Sequence, residues 1–269
     1  MKKIAVINDI SGFGRCSLTA ALPVISAMGI ECNPLPTAVL SNQTGYESFL
    51  CHDCTDLMDG FIDEWKKLDA HFDAILTGYC ASAEQIEKIR HFVTAFMKED
   101  TLFVCDPVMA DDGKIYSTYN DEMCKKVCAL AKHANIITPN LTELAIMTGE
   151  DYTTLSNLDI IGQSAKKLIS GPLHTVIVTG LRDGDHATNL VVTKDEITPV
   201  TNVMYGGSYS GTGDLFSSTL CGGVVKGLDV ISATRLAGDF ISKAVADTYA
   251  ENTDRNDGVN FQKYLGMLI

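Results

Sequence analysis

A glycine-rich stretch, GGSYSGTGDLFSS at 206–218, combines backbone freedom with a carboxylate. Four of its first eight residues are glycine, which is favoured where the backbone must take a positive φ or approach a ligand closely. Apolar residues recur at helical spacing from Leu215, so the loop is predicted to lead into a helix N-terminus. Unpaired amides at such an end attract phosphate, while Asp214 brings negative charge to the same place.

A base beside an anion site suits the transfer of a phosphoryl group to a hydroxyl. The amides of Gly211, Thr212 and Gly213 would stabilise charge on the transferred group. Asp214 would accept the proton of the attacking alcohol as the catalytic base. The alternative is that Asp214 only caps its own helix.

Two more acidic residues follow predicted strands. Asp106 comes after LFVC and before Pro107, which ends the strand, although an Asp here also fits a simple turn. In ITPNLTEL, Asn140 and Glu143 have the spacing of a capping box. A carboxylate in a first helical turn can also hold Mg²⁺, whose sites use one or two carboxylates plus phosphates.

The common nucleotide motifs are incomplete. Gly12, Gly14 and Ser17 nearly form G-x-G-x-x-G, but Ser takes the third glycine position and no acidic residue ends the second strand. The Walker sequence is absent as well, since GK at 113–114 is followed by Ile115. A bound ATP would therefore need another architecture.

The cysteines and histidines show no ligand spacing. Cys51 and Cys54 have no matching second pair for zinc, and Cys124 and Cys128 stand one helical turn apart, as packing residues do. Nine cysteines in a chain with no export signal indicate reduced thiols and a cytoplasmic location. No histidine is assigned a catalytic role.

The composition is that of a globular protein, with 46% hydrophobic and 20% charged residues among 269. No apolar run is long enough to span a membrane. The net charge of −13 and the lack of a basic cluster argue against a nucleic-acid partner. A polyphosphate ligand would need amides and a metal ion for attraction.

Runs rich in Val and Ile alternate with amphipathic segments, as in βαβ units. The predicted strands are Ile4 to Ile7, Ile30 to Leu35, Ala74 to Thr77, Leu102 to Cys105, Ile136 to Thr138 and Thr175 to Thr179. The helices between them include Leu18 to Met28 and Ala83 to Met97, and a hairpin is predicted at Thr188 to Thr193 and Glu196 to Thr201. We expect one α/β domain over 1–269 with ligands at the carboxyl ends of parallel strands.

Six stretches resemble the motifs of vitamin B6 kinases of the ribokinase fold, in the same order. They are SNQTGY at 41–46, LTGY at 76–79, CDPVM at 105–109, ITPNLTEL at 137–144, VIVTG at 176–180 and GTGDLF at 211–216. GTGD alone marks the superfamily, whereas SNQTGY with CDPV and TPNxxE is specific to the B6 kinases. The resemblance spans nearly the whole chain.

The resemblance implies a three-layer sandwich in which ATP with Mg²⁺ phosphorylates the 5′-hydroxymethyl group of pyridoxal, pyridoxine or pyridoxamine. By matching position, Asp214 is the base, Gly211 to Gly213 form the anion hole, and Asp106 and Glu143 serve Mg²⁺. Thr138, Asn140 and Thr179 would lie along the nucleotide, with Asp111 in the segment that covers the site. Thr44, Tyr79 and Tyr116 would line the substrate pocket. Relatives are usually homodimers, and a monovalent cation is left open.

One departure from the family concerns the end of the first strand. Pyridoxal kinases commonly carry Ser in a stretch like QSH, where this chain has Asn8-Asp9-Ile10. The Asp9 carboxylate could pair with a cationic group of the substrate. We therefore expect pyridoxamine to be used at least as well as pyridoxal.

Two other functions are weighed against this one. Hydroxymethylpyrimidine kinase of thiamin synthesis shares the fold, but its loop typically ends in Cys where this chain has Asp214. A sensor that binds a vitamer or nucleotide without turnover is the second, and the intact set of Asp214, glycine loop, Asp106 and Glu143 argues against it.

Overall fold

The structure, a computed structural model, describes residues 1–204 and 206–269. Its strands are β1 (Lys3–Ser11), β2 (Glu31–Leu40), β3 (Cys51–Asp53), β4 (Ala74–Thr77), β5 (Leu102–Cys105), β6 (Ala110–Asp111), β7 (Lys114–Ile115), β8 (Ile136–Ile137), β9 (Thr175–Asp183), β10 (His186–Val192) and β11 (Ile197–Val203). Its α-helices are α1 (Ser17–Ala27), α2 (Thr55–Lys67), α3 (Ala83–Phe96), α4 (Asp121–Ala131), α5 (Leu141–Thr148), α6 (Leu158–Lys166), α7 (Thr212–Val225) and α8 (Val230–Ala250). Short 3₁₀ helices occupy Tyr152–Thr154, Arg255–Asp257 and Gln262–Leu268.

Nine strands form one sheet in the order β11-β10-β9-β8-β5-β4-β1-β2-β3. The six consecutive strands β9, β8, β5, β4, β1 and β2 are parallel to one another. At the two sides of this group, β10 pairs antiparallel with β9 and β11, and β3 pairs antiparallel with β2. Since a parallel sheet aligns the carboxyl ends of its strands, residues that follow β1, β4, β5 and β8 meet at one edge. The mostly parallel α/β sheet and the hairpin after β9 are confirmed.

Helices cover both faces of the sheet. Alternate residues of β1 show this division: Ala5 and Ile7 belong to one apolar core and Ile4 and Val6 to the other. The first core packs against α2 to α6, and the second against α1, α7 and α8. The predicted three-layer sandwich is therefore confirmed. No helix within the described ranges is long and apolar enough to cross a membrane.

The second strand is longer than its predicted span. It continues from Glu31 through Pro34 and Pro36 to Leu40, although proline usually interrupts a strand. The outer neighbour β3 pairs with β2 only at residues 38–40, so the outer edge is unpaired at both prolines and tolerates the missing N–H groups. The added residues lead the chain to the SNQTGY segment.

Candidate active site

Four parts of the fold deliver carboxylates to the same edge of the sheet. Asp9 stands at the end of β1, where a bulge against β2 interrupts the regular pairing after Asn8. Asp106 follows β5, Glu143 lies in the first turn of α5 after β8, and Asp214 lies in the first turn of α7. No salt bridge within the described residues involves any of these four carboxylates.

The glycine loop begins α7 as predicted, and Gly211 is its N-cap residue with a φ of 82°. A β-carbon at Gly211 would lie 2.0 Å from the Arg15 carbonyl oxygen, so only glycine fits this approach. A β-carbon at Gly213 would stand 3.7 Å from Asp106 Oδ2. The Thr212 hydroxyl donates to the Tyr209 carbonyl oxygen at 3.2 Å. The start of the helix thus lies directly against Asp106.

Asp214 accepts a hydrogen bond from the Asn8 side chain, with 2.9 Å between Asn8 Nδ2 and Asp214 Oδ1. Burial, together with the charge of nearby Asp9, raises the pKa of Asp214 to about 6. The Ser17 backbone amide and the Asn8 side chain oppose this rise. A carboxylate with this pKa is ionised at neutral pH and still basic enough to take a proton from an alcohol in the transition state.

Asp106 and Glu143 form an acidic pair in which Glu143 is buried and Asp106 is partly buried. Burial and the charge of Asp214 raise the pKa of Asp106 to about 7, while burial and Asp106 raise the pKa of Glu143 well above its ordinary value. Both shifts mean that a cation between the carboxylates would be favoured. Thr138 Oγ1, buried beside them, makes no hydrogen bond of regular geometry within the described chain, although its hydroxyl is close enough to Asp106 to oppose the rise of that pKa. These observations fit a divalent cation at this place.

Glu143 also closes the capping box expected for α5. Its Oε2 accepts from the Asn140 amide at 2.9 Å, and Asn140 Oδ1 accepts from the Glu143 amide at 2.9 Å. Its Oε1 accepts from the Met109 amide at 3.0 Å. Among the described residues, no three His, Cys, Asp or Glu side chains form a ready-made metal cluster. A metal here would therefore need ligands from phosphate or water.

The other residues predicted to lie along the nucleotide adjoin α5. Thr138 follows β8. Asn140 forms a parallel bridge with Thr179, which lies in the neighbouring strand β9. The Thr179 amide donates to the Pro139 carbonyl oxygen at 2.9 Å. Asn140 and Thr179 are thereby neighbours at the carboxyl edge, beside Glu143.

The segment predicted to cover the site is a small hairpin of β6 and β7. Asp111 ends β6, and Tyr116 follows β7. Asn140 Nδ2 donates to the Ala110 carbonyl oxygen at 2.7 Å, and the Gly113 amide donates to Thr142 Oγ1 at 2.9 Å. Both bonds join the hairpin to the start of α5.

Three tyrosines form a wall next to the carboxylates. The Tyr79 and Tyr119 rings lie 6.0 Å apart, and those of Tyr119 and Tyr116 lie 6.5 Å apart. Burial, followed by the charges of Glu143 and other site carboxylates, raises the pKa of Tyr116 above its ordinary value. Tyr116 and Tyr79 therefore belong to one wall, and Tyr119 joins them.

Thr44 is predicted to line the substrate pocket with Tyr79 and Tyr116, but its hydroxyl is not hydrogen-bonded to these tyrosines. Thr44 is exposed, and its hydroxyl makes no hydrogen bond to another described residue. Its loop is held by Gln43, whose Nε2 donates to Asn256 Oδ1 at 3.1 Å.

Asp9, in contrast, is buried, and its Oδ2 accepts from the Ser11 hydroxyl at 2.9 Å. Burial raises the pKa of Asp9, while hydroxyl groups of Ser17 and Ser11 lower it.

Asn8, Ser17 and Tyr119 are site residues that the sequence motifs did not identify. Ser17 is buried at the first position of α1 with a φ of 52°, a rare conformation for a residue with a side chain. It brings a second helix N-terminus to Asp214. The near G-x-G-x-x-G pattern of Gly12, Gly14 and Ser17, in the turn SGFGRCS, is the sequence signal for this second anion-attracting helix end.

The mostly parallel three-layer sandwich, with a glycine loop and carboxylates at the carboxyl ends of its strands, is the arrangement of ribokinase-like kinases. Residues 17–259 match the family model described as phosphomethylpyrimidine kinase, and the chain belongs to that family. The resemblance to vitamin B6 kinases of the ribokinase fold is also confirmed, since relatives with those names match along most of the chain.

Three known proteins illustrate the similarity. One from Bacteroides thetaiotaomicron, provisionally assigned as a phosphomethylpyrimidine kinase and crystallised with pyridoxal, is 37% identical with a TM-score of 0.94, covering 99% of this chain and 95% of that one. The pyridoxal kinase of Lactobacillus plantarum is 27% identical with a TM-score of 0.91, covering 100% and 96%. A pyridoxal kinase of Aliivibrio fischeri is 27% identical over 93% of this chain and 90% of its own length.

Proposed function

We propose that the protein is an ATP-dependent kinase that phosphorylates the 5′-hydroxymethyl group of pyridoxal, pyridoxine or pyridoxamine. The reaction would serve the salvage of vitamin B6. The observation that carries the proposal is the position of Asp214, in the first turn of α7 directly after the Gly211–Gly213 loop. This arrangement joins a base to a set of phosphate-binding amides.

Direct transfer follows from this arrangement. The substrate hydroxyl oxygen forms a bond to the γ-phosphorus of ATP as the bond from phosphorus to the ADP oxygen breaks. The hydroxyl proton passes to the Asp214 carboxylate. Amides of Gly211, Thr212 and Gly213 stabilise the charge that spreads over the phosphoryl oxygens.

Mg²⁺ is the metal that this chemistry needs. Asp106 and Glu143 would hold it, directly or through water, together with phosphate oxygens. When bound, the ion neutralises the negative charge of ATP, which four nearby carboxylates would otherwise repel. The raised pKa values of Asp106 and Glu143 support this role, because a cation would relieve the repulsion between them.

The remaining residues would bind the two substrates. Thr138, Asn140 and Thr179 would lie along the nucleotide. Tyr79 and Tyr116 would contact the pyridine ring. The predicted roles of Thr44, Asp9 and Asp111, together with the single domain, cytoplasmic location and homodimer, remain proposals carried by resemblance and composition.

Hydroxymethylpyrimidine kinase activity is the second candidate. The family model and the provisional assignment of the Bacteroides relative favour it, since both are described as phosphomethylpyrimidine kinases. Asp214 argues against it as the main activity, because the pyrimidine kinases typically carry Cys at this position. The B6 alcohols are therefore the first substrates to test.

The test is ATP consumption by the purified protein with Mg²⁺. Pyridoxal, pyridoxine, pyridoxamine and hydroxymethylpyrimidine are assayed in parallel, with Asp214→Asn as the matched control. Turnover of a B6 vitamer that the variant loses would support the proposal. Turnover of the pyrimidine alone would favour the second candidate, and ligand binding without any turnover would indicate a sensor.

A further inference from the structure

Asn8 makes three hydrogen bonds at the centre of the site. Its Nδ2 donates to Asp214 Oδ1 at 2.9 Å. Its Oδ1 accepts from the Tyr79 amide at 2.9 Å and from the Asp9 amide at 3.0 Å. The side chain is 5% exposed, so water does not compete freely for these bonds.

The two backbone bonds fix the orientation of the Asn8 amide. Because both backbone amides donate, the oxygen of Asn8 must face them and the Nδ2 group must face Asp214. Gly78 packs against the amide plane, where a β-carbon would lie 2.6 Å from Asn8 Nδ2. The side chain therefore has one fixed position, set by backbone from β1 and from the segment after β4.

We infer that Asn8 is a positioning residue that holds the Asp214 carboxylate in the orientation needed to accept the substrate proton. Its Nδ2 holds Oδ1 of Asp214, and the Ser17 backbone amide also stabilises this carboxylate. Through the Tyr79 amide, Asn8 also ties the base to the tyrosine wall. This inference rests on the proposed function, since it assigns a role within that reaction.

The geometry predicts a loss in kcat rather than in substrate binding. Asn8→Leu, which is nearly isosteric but lacks the donor, should lower kcat by roughly 10- to 100-fold and change KM for ATP and vitamer by less than about threefold. Asn8→Gln adds a methylene where Gly78 leaves no space, so it should displace the donor from Asp214 and also lower kcat. Gly78→Ala, which displaces the amide without altering it, should reproduce the loss in kcat.

Asn135 provides the matched control. Its Oδ1 accepts from the Phe103 amide at 2.8 Å at the opposite edge of the sheet. Asn135→Ala should lower stability while leaving kcat unchanged. If Asn8→Leu lowers kcat no more than Asn135→Ala does, or if it raises KM instead, the inference is wrong.

A spectroscopic measurement separates this inference from the proposed function. In protein labelled with ¹⁵N-asparagine, the Asn8 side-chain signal is assigned by its loss in Asn8→Leu. It should shift in Asp214→Ala, while the Asn135 signal should not. An unmoved Asn8 signal would overturn the contact whether or not the protein is a kinase. Wild-type protein that consumes no ATP with any alcohol would overturn the proposed function instead.

Discussion

Carboxylates at the amino edge and at the carboxyl edge of the sheet have pKa values shifted in opposite directions. At the amino edge, Asp73 accepts from Lys2 Nζ at 2.7 Å and from the Lys3 amide at 2.8 Å. Burial raises the pKa of Asp73, but the hydrogen bonds from Lys2 and Lys3 outweigh it, and the net pKa is lowered. At the carboxyl edge, Asp106 and Asp214 have raised pKa values and no salt bridge within the described chain.

Hydrogen bonds from Lys2 and Lys3 stabilise the charged form of Asp73. Asp106 and Asp214 have no cationic side chain beside them within the described chain, so a bound cation would favour their charged forms. A buried acid without a cation destabilises the folded protein at neutral pH, so its retention indicates a function rather than a contribution to stability. Mg²⁺ and the proton of an alcohol are what the proposed reaction would supply at the carboxyl edge.

The largest expected effect concerns the base. Asp214→Asn should lower kcat by roughly 10² to 10⁴, which corresponds to about 2.7 to 5.4 kcal/mol of barrier, while ligand binding is kept. Since the pKa of Asp214 is raised to about 6, wild-type kcat/KM should also fall below that pH, and residual activity of the variant should not. Steady-state kinetics against pH, with calorimetric binding, measure both. A loss under tenfold would remove Asp214 as the base.

The second prediction concerns stability without Mg²⁺ or nucleotide. The folded pKa of Asp106, about 7, lies above the ordinary 3.8, so the folded state holds its proton more tightly. Stability must therefore fall as pH rises from about 4 to about 7. Asp106→Asn lacks this penalty, and its stability relative to wild type should increase by roughly 3 kcal/mol between pH 4.5 and pH 8. Urea unfolding at several pH values measures the difference.

Two results would contradict this prediction. A stability difference that stays constant from pH 4.5 to pH 8 would mean that Asp106 is not an uncompensated buried acid. If Mg²⁺ with ATP stabilised wild type and Asp106→Asn equally, Asp106 would not hold the metal. The first result concerns the comparison between the two edges, and the second concerns the metal role alone.

The sequence predicted which residues lie at the carboxyl edge better than it predicted the contacts among them. Hydrophobic periodicity placed Asp106 after a strand and Asp214 in a first helical turn, because both positions follow from local pattern. The capping box of Asn140 and Glu143 is local as well, and the structure contains it. Glu143 nevertheless also faces Asp106, which is a non-local relation that only the sheet order creates.

The parts that the sequence could not predict depend on long-range contacts. Asn8 and Asp214 are 206 positions apart, and nothing at either position signals the other. The extension of β2 through two prolines depends on where β3 stops pairing. Ser17 adopts a positive φ that no propensity favours, directly after Arg15 and Cys16, which lie against Gly211 of the glycine loop.

A smaller effect is expected at Asp9, whose carboxylate lies near the base. Asp9→Ser should lower the ratio of kcat/KM for pyridoxamine over pyridoxal by roughly three- to tenfold, because a charged partner for the substrate cation is lost. Asp9→Asn, which keeps the shape but removes the charge, should lower the ratio as well. Competition kinetics with both vitamers measure the ratio. An unchanged ratio would mean that the buried carboxylate, paired with Ser11, does not recognise the substrate.

The smallest effect is expected at the amino edge, where Asp73→Asn removes the charge but keeps an acceptor for the Lys3 amide. Because the folded pKa of Asp73 is lowered, its contribution is present above pH 3.8 and is lost as pH falls through the lowered value. The exposed ion pair with Lys2 is worth little, so the melting temperature at pH 7 should fall by only about 1 to 2 °C. Calorimetry at pH 7 and pH 3 measures the difference, which should shrink at the lower pH. Kinase activity should be unchanged, since this edge faces away from the carboxylates after β1 and β5. A gain in stability at pH 7 would place Asp73 with the uncompensated acids and would remove the distinction between the two edges.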